Sequence, residues 1–131
     1  RLVKAPKIYF RDTGILHYFL GIRSFDGLQT HIKLGASWEG FALETVIAKR
    51  NIEPENCYFW AVHQQGEVDL LTEQDGKLEA FEFKYSDQPR ITKSINLALQ
   101  ELPIETLTIV APVEQSFNLS ETVWVKSLND L

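Results

Sequence analysis

Three charged residues on two predicted strands, Asp69, Glu82 and Lys84, have types and spacing that could support chemistry. Glu82 and Lys84 are two residues apart, so an extended strand would put them on one face, together with Leu78 and Ala80. Burying a charge costs free energy unless the charge is paired or binds a metal. An apolar strand face that ends in a carboxylate and an ammonium group therefore indicates a functional site.

Asp69 and Glu82 would lie close together if their two strands are neighbours in a sheet. Two close carboxylates repel each other unless a cation neutralises them, and Mg²⁺ (or Mn²⁺) takes oxygen ligands and keeps waters for a substrate phosphate. The ion would polarise the phosphate, while Lys84 would orient or help to deprotonate the attacking water. These residues predict metal-dependent phosphodiester hydrolysis; a solvated ion pair between Glu82 and Lys84 is the simpler alternative.

A fourth carboxylate, Glu39, is predicted on the apolar side of an amphipathic helix at residues 36–50. At helical spacing its neighbours are Ala42, Leu43 and Val46. A carboxylate on that side is unusual for a surface helix, so we expect Glu39 to belong to the same site.

The elements that must position these residues follow from apolar periodicity and from glycine- and proline-bearing turns. We predict helices at 13–20, at 36–50 (with Ser37 as its N-cap) and at 91–102, and a loop at 22–35. We predict strands at 57–62, 67–72, 77–85, 105–111 and 122–125. The turns at 63–66 and 73–76 favour an antiparallel meander, and the helix at 91–102 favours a parallel crossover. The predicted fold class is α/β, a small mixed β-sheet flanked by helices.

The composition limits the classes of protein to consider. The 131 residues suit one domain, which we predict at 36–131 after an N-terminal lead at 1–35. A net charge of −5 and a pI near 5.2 are not typical of a dedicated nucleic-acid binder. Arg90 and Lys93 could form a small basic rim for phosphate, or could simply be solvated charges.

The cysteine and hydropathy patterns predict the compartment. The single cysteine, Cys57, rules out an internal disulfide and fits a reducing compartment, so we expect a cytoplasmic protein. No apolar run is long enough to span a bilayer, so we expect no membrane partner. The sequence contains no methionine, which suggests a piece of a longer protein.

Four stretches, taken in order, carry a resemblance to a known superfamily. They are KIYFRDTGIL at 7–16, GASWEGF at 35–41, GEVDL at 66–70 and EFKYS at 82–86. Together they resemble the PD-(D/E)XK phosphodiesterases, which include restriction endonucleases and archaeal Holliday junction resolvases. The closer resemblance is to the uncharacterised C-terminal domain attached to many prokaryotic AAA-type ATPases. Val68 stands where the superfamily's name has a proline.

The resemblance implies a restriction-endonuclease-like core and a set of site residues. Asp69 and Glu82 would be the metal ligands, Lys84 and Glu39 the catalytic residues, and Glu67 an assisting residue. It also implies an N-terminal ATPase domain of the same protein as partner, and DNA as a possible substrate. This chain has no Gly-x-x-x-x-Gly-Lys-Ser/Thr phosphate loop, so we expect no ATP site of that kind in it. The alternative is a catalytically inactive regulatory, partner-binding or DNA-binding module.

Overall fold

A six-stranded mixed sheet forms the centre of the computed structural model, which describes residues 7–131. Its strands are β1 (Cys57–Val62), β2 (Gly66–Gln74), β3 (Lys77–Phe83), β4 (Leu107–Val110), β5 (Phe117–Asn118) and β6 (Val123–Lys126). They are ordered β1-β2-β3-β4-β6-β5. The first three form an antiparallel meander, β3 is parallel to β4 and β4 to β6, and β5 is antiparallel to β6. The predicted mixed α/β sheet, meander and parallel crossover are confirmed.

Helices cover both faces of this sheet. They are α1 (Thr13–Phe19), α2 (Phe25–Gln29), α3 (Leu34–Arg50) and α4 (Lys93–Glu101). On one face the core joins α3 to β2, β3 and β4 through Val46, Leu70 and Phe81. On the other face Ile95 of α4 belongs to a second core, together with Leu107. The sheet is thus buried on both sides, as strands that are parallel to one another require.

The segment 22–35, predicted as a loop, contains a helix, so that prediction was wrong. The side chain of Ser24 accepts a hydrogen bond from the Gly27 amide and caps α2. Helix α2 has only five residues, too few to show a helical repeat of apolar positions. In contrast, α1 begins where predicted, because the Asp12 carboxylate accepts from the Gly14 and Ile15 amides.

Helix α3 begins earlier than predicted, at Leu34, and Ser37 is not its N-cap. Ser37 is buried inside the helix, where its hydroxyl lies 2.6 Å from His17 Nε2 of α1. This contact and the ion pair between Arg11 and Glu44 (3.2 Å) hold the N-terminal segment against α3. The first six residues of the predicted 1–35 lead lie outside the described residues.

A β-bulge in β2 breaks the simple alternation of side chains that a regular strand would have. Between Tyr58 and Trp60, β1 advances by two residues while β2 advances by three, from Leu71 to Val68. The extra residue puts Val68 and Leu71 in the same core, although strict alternation predicted opposite faces. Alternation does hold in β3, where Phe81 and Phe83 pack towards α3.

The described residues include no helix that is both long and apolar enough to cross a bilayer.

Candidate functional site

The site lies where β2 leaves β3. The ladder between these strands ends at the pair Leu70–Phe81, although β3 continues beside β4 as far as Phe83. Beyond Leu70, side chains replace the missing ladder bonds. Asp69 Oδ2 accepts a hydrogen bond of 3.0 Å from the Phe83 amide. Glu82 Oε2 accepts one of 3.3 Å from the Asp69 amide. Asp69 and Glu82 therefore lie close together, as predicted. Each carboxylate accepts a hydrogen bond from a backbone amide at the point where β2 and β3 stop pairing.

Both carboxylates are buried, with Asp69 7% and Glu82 4% exposed. Burial, followed by the charge of Asp69, raises the pKa of Glu82 to about 7, although Lys84 opposes the shift. Two buried carboxylates this close are costly unless each has a positive partner.

Two lysines neutralise this pair of carboxylates. Lys84 Nζ lies 3.2 Å from Glu82 Oε1, and Lys7 Nζ forms an ion pair with Asp69 Oδ1. Lys7 Nζ also lies 3.2 Å from Glu67 Oε1, which brings the predicted assisting residue to the edge of the site. Burial alone would lower the pKa of Lys7, but the hydrogen bond and charge of Asp69 outweigh burial and raise it.

Glu39 is half-buried on α3, within electrostatic range of the other carboxylates. Burial and then the charge of Asp69 raise its pKa, while Lys7 and Lys84 oppose the rise. The structure thus brings Glu39 into the neighbourhood predicted from its helix face.

Sequence reasoning missed Lys7 and Tyr9 as parts of the site. Burial raises the pKa of Tyr9 to about 12; the charge of Lys7 opposes the rise, and those of Asp69, Glu39 and Glu82 add to it. The segment 7–10 has no regular secondary structure, and its two exposed apolar residues, Ile8 and Phe10, alternate with these two half-buried polar ones. Alternation in the sequence reveals two faces but cannot say that the polar face is the inner one.

The two predicted rim residues, Arg90 and Lys93, are both exposed, one on the loop before α4 and one at its first residue. The start of α4 approaches the start of β2 closely: a Cβ on Gly66 would lie 3.0 Å from Ser94 Cα. Lys93 is therefore next to the strand that carries Asp69. Arg50, another possible rim residue, instead forms bonds of 3.0 and 2.9 Å to both oxygens of Glu79.

The arrangement has the donors for a cation with oxygen ligands, and a lysine beside them. Asp69 and Glu82 would supply two carboxylates, and Mg²⁺ sites in proteins commonly use one or two plus waters. Within residues 7–131, no group of three or more Asp, Glu, His or Cys side chains is assembled as a ready metal cage. The arrangement of the described residues is a carboxylate pair compensated by lysines.

Comparisons with known proteins give a family and relatives without an assigned activity. A family model described as "Domain of unknown function (DUF4143)" matches residues 34–131. The chain is 45% identical over 120 residues to the uncharacterized protein Rv2008c of Mycobacterium tuberculosis and, equally, to the uncharacterized protein Mb2031c of Mycobacterium bovis. These matches cover 92% of this chain but 27% of each relative, so the chain spans about a quarter of their length. No solved structure matches.

Proposed function

The chain belongs to the DUF4143 family, and from that premise we propose that it is a metal-dependent nuclease domain of the PD-(D/E)XK superfamily, cutting nucleic acid by phosphodiester hydrolysis. We further propose that it is the C-terminal part of a larger AAA-type ATPase whose ATP site lies outside this chain. The relatives it matches are nearly four times as long as the matched segment, which leaves room for such a domain.

The observation that carries the proposal is the pair of buried carboxylates, Asp69 and Glu82. Each carboxylate accepts a backbone N–H at the divergence of β2 from β3, and each is buried. Burying two carboxylates costs free energy that hydrogen bonds and ion pairs only offset, and apolar side chains at these positions would avoid that cost. A restriction-endonuclease-like core uses two such carboxylates and a following lysine, the order in which Asp69, Glu82 and Lys84 occur.

The donor set fits Mg²⁺ or Mn²⁺. Asp69 and Glu82 would hold the ion, with waters completing its coordination. When bound, such an ion polarises a phosphate and lowers the pKa of a coordinated water.

Residues of this chain would contact the attacking water and the phosphates. Lys84, whose side chain is 42% exposed, can reach a water or a phosphate while it stays within 3.2 Å of Glu82. Glu39 would accept a hydrogen bond or a proton from the attacking water. Arg90 and Lys93, both exposed, would contact phosphates that flank the cleaved one.

Calorimetric titration with Mg²⁺ and Mn²⁺ tests the metal site. We expect one binding event in the unchanged chain, lost in Asp69→Asn and in Glu82→Gln. Glu73→Gln is the matched control, because Glu73 lies on the same strand as Asp69 but is exposed. Equal binding in all four proteins would sink the proposed site, as would absence of binding at millimolar concentrations both by these proteins and by Lys7→Met.

Cleavage assays follow from a positive titration. We expect the chain to nick or cut DNA in the presence of Mg²⁺ or Mn²⁺, and Lys84→Met to abolish cleavage while metal binding persists. Persistent cleavage by Lys84→Met would assign the activity to other residues or to a contaminant.

One observation favours a second candidate function, a non-catalytic module that docks on another part of a longer protein. Large apolar side chains on α1 and α2 are mostly exposed, among them Tyr18, Phe19 and Phe25. Phe25 also lines a groove of about 410 Å³, together with Trp38 and Phe41. Clustered exposed apolar groups commonly mark interaction surfaces.

The two candidates differ in which residues matter. If docking is the function, the chain binds the separately produced remainder of a long relative, and Phe19→Ser with Phe25→Ser abolishes that binding. Asp69→Asn and Glu82→Gln would then leave docking intact. If cleavage is the function, the Asp69 and Glu82 variants lose it whether or not the apolar surface docks.

A further inference from the structure

Lys7 joins the N-terminal segment to the carboxylate pair from 62 residues away in the sequence. Its ammonium group pairs with Asp69 Oδ1 and lies 3.2 Å from Glu67 Oε1. It also lies 5.3 Å from the centre of the Phe59 ring, in range of a cation–π interaction. Three side chains from β1 and β2 therefore surround one lysine.

Each carboxylate of the pair already has a lysine partner with Lys7 in place. Asp69 has Lys7 as its positive partner and Glu82 has Lys84. A divalent cation entering beside Asp69 would meet the Lys7 ammonium group, and two positive charges close together repel each other strongly where burial keeps water away. The cation can bind Asp69 only if Lys7 moves aside.

The segment that carries Lys7 is irregular, and contacts that attach it to the rest of the fold lie between Lys7 and α1. Residues 7–10 belong to no helix or strand. Tyr9 packs against α3 at Gly40, where an added Cβ would lie 3.6 Å from the Tyr9 ring. The next fixed points are the ion pair of Arg11 with Glu44 and the capping of α1 by Asp12. Lys7 can thus leave Asp69 without unwinding α1.

We propose that Lys7 is an internal counter-ion that occupies the site in place of a metal, so that Mg²⁺ or Mn²⁺ binds by displacing Lys7 from Asp69. The exchange couples metal binding to a change in the N-terminal segment. This inference rests on the proposed metal site and adds to it an autoinhibitory contact.

The direct test is calorimetric titration of four proteins with Mn²⁺: the unchanged chain, Lys7→Met, Lys7→Arg and Lys77→Met. Lys7→Met removes the competing charge at nearly constant length, so we expect its affinity to rise about tenfold or more. Lys7→Arg keeps the charge and should bind no more tightly than the unchanged chain. Lys77, an exposed lysine at the start of β3, is the matched control and should leave affinity unchanged.

Equal or weaker binding by Lys7→Met, with normal binding by the unchanged chain, overturns the inference and leaves the metal site standing. Absence of binding in all four proteins overturns both the inference and the proposed metal site. Binding by Lys7→Met alone supports both, because it reveals a site that Lys7 keeps closed.

A second measurement follows the Lys7 ammonium group directly. An ammonium group held in an ion pair exchanges its protons slowly enough to give a ¹⁵N–¹H resonance, and Lys7→Arg identifies the Lys7 signal by its loss. We expect the Lys7 resonance in the absence of metal and its disappearance on saturation with Mg²⁺, while the Lys84 signal shifts but persists. A Lys7 resonance that remains unchanged in the metal-saturated chain would show that no displacement occurs.

Discussion

The Phe83 amide donates a 3.0 Å hydrogen bond to the Asp69 carboxylate at the point where strands β2 and β3 stop pairing. One side chain therefore completes the backbone bonding of β3 and also contributes half of a carboxylate pair. Because this carboxylate has a structural hydrogen bond, substitutions at Asp69 separate into those that keep an acceptor and those that remove it.

We expect Asp69→Ala to lower the free energy of unfolding by about 1–3 kcal/mol more than Asp69→Asn does. Alanine leaves the buried Phe83 amide without an acceptor, and an unsatisfied buried group costs about that much. Asparagine keeps an acceptor oxygen and loses only the charge. Urea unfolding followed by circular dichroism measures the difference, with Asp75→Asn, on an exposed turn, as the control that should change little. Equal losses in the two Asp69 variants would mean that the bond to Phe83 contributes nothing.

The pKa of Glu82, raised to about 7 by burial and by Asp69, predicts a stability that falls as pH rises. The folded chain binds this proton more tightly than the unfolded chain, whose carboxyl has its ordinary pKa of 4.5. Between these two values the folded state holds more protons, so stability decreases with pH, by at most about 1.4 kcal/mol per pH unit for one proton.

Glu82→Gln removes that titrating proton, so the free energy of unfolding should depend less steeply on pH between pH 4.5 and 7. Glu39 has a pKa raised in the same direction, so some slope should remain. Thermal or urea unfolding at several pH values measures this pH dependence in the unchanged chain and in Glu82→Gln. A Glu82→Gln slope as steep as that of the unchanged chain would assign the proton uptake to other groups.

Much of the site could be predicted because it depends on local patterns. Glycine-bearing turns predicted that the strands of Asp69 and Glu82 are neighbours. Alternation along β3 predicted that Glu82 and Lys84 share a face with the apolar residues before them. Helical spacing put Glu39 beside Ala42, Leu43 and Val46, and all three of these apolar residues are buried. Each of these inferences needed only a window of about ten residues.

What sequence reasoning missed depends on contacts between distant segments or on local irregularity. The partner of Asp69, Lys7, is 62 residues away, and no local pattern selects it from among the other lysines. The bulge in β2 reverses the alternation expected of Leu71, because one extra residue changes the face of those that follow. Helix α2 and the two-residue strand β5 are too short for any period to appear.

Gly66→Ala should destabilise the chain by about 1–3 kcal/mol, the usual cost of overpacking. An added Cβ would lie 3.0 Å from Ser94 Cα, a backbone atom that cannot rotate away, so α4 must shift from β2. Gly35→Ala, in the first turn of α3, is the matched control. No atom lies within 4 Å of its added Cβ, and alanine favours a helix by up to about 1 kcal/mol. Equal melting temperatures for the two variants would contradict the close approach of α4.

If the rim residues contact a nucleic-acid backbone, their removal should change the salt dependence of binding. Each phosphate contact adds about 0.9 to the slope of log affinity against log salt concentration for duplex DNA. We therefore expect Arg90→Gln and Lys93→Gln each to weaken binding of a short duplex and to lower this slope by about one. Fluorescence anisotropy with a labelled duplex measures it, in Ca²⁺ so that binding is observed without cleavage.

Lys77→Gln is the control for the rim, since Lys77 lies at the β2–β3 hairpin, at the opposite end of β3 from Lys84. Its removal should leave the salt slope unchanged, because a duplex seated over Asp69 and Glu82 would not reach the hairpin. Equal slopes in all three variants would exclude Arg90 and Lys93 from the contact surface. A lower salt slope in Lys77→Gln alone would indicate that nucleic acid binds at the hairpin, away from the carboxylate pair. That result would favour binding without cleavage.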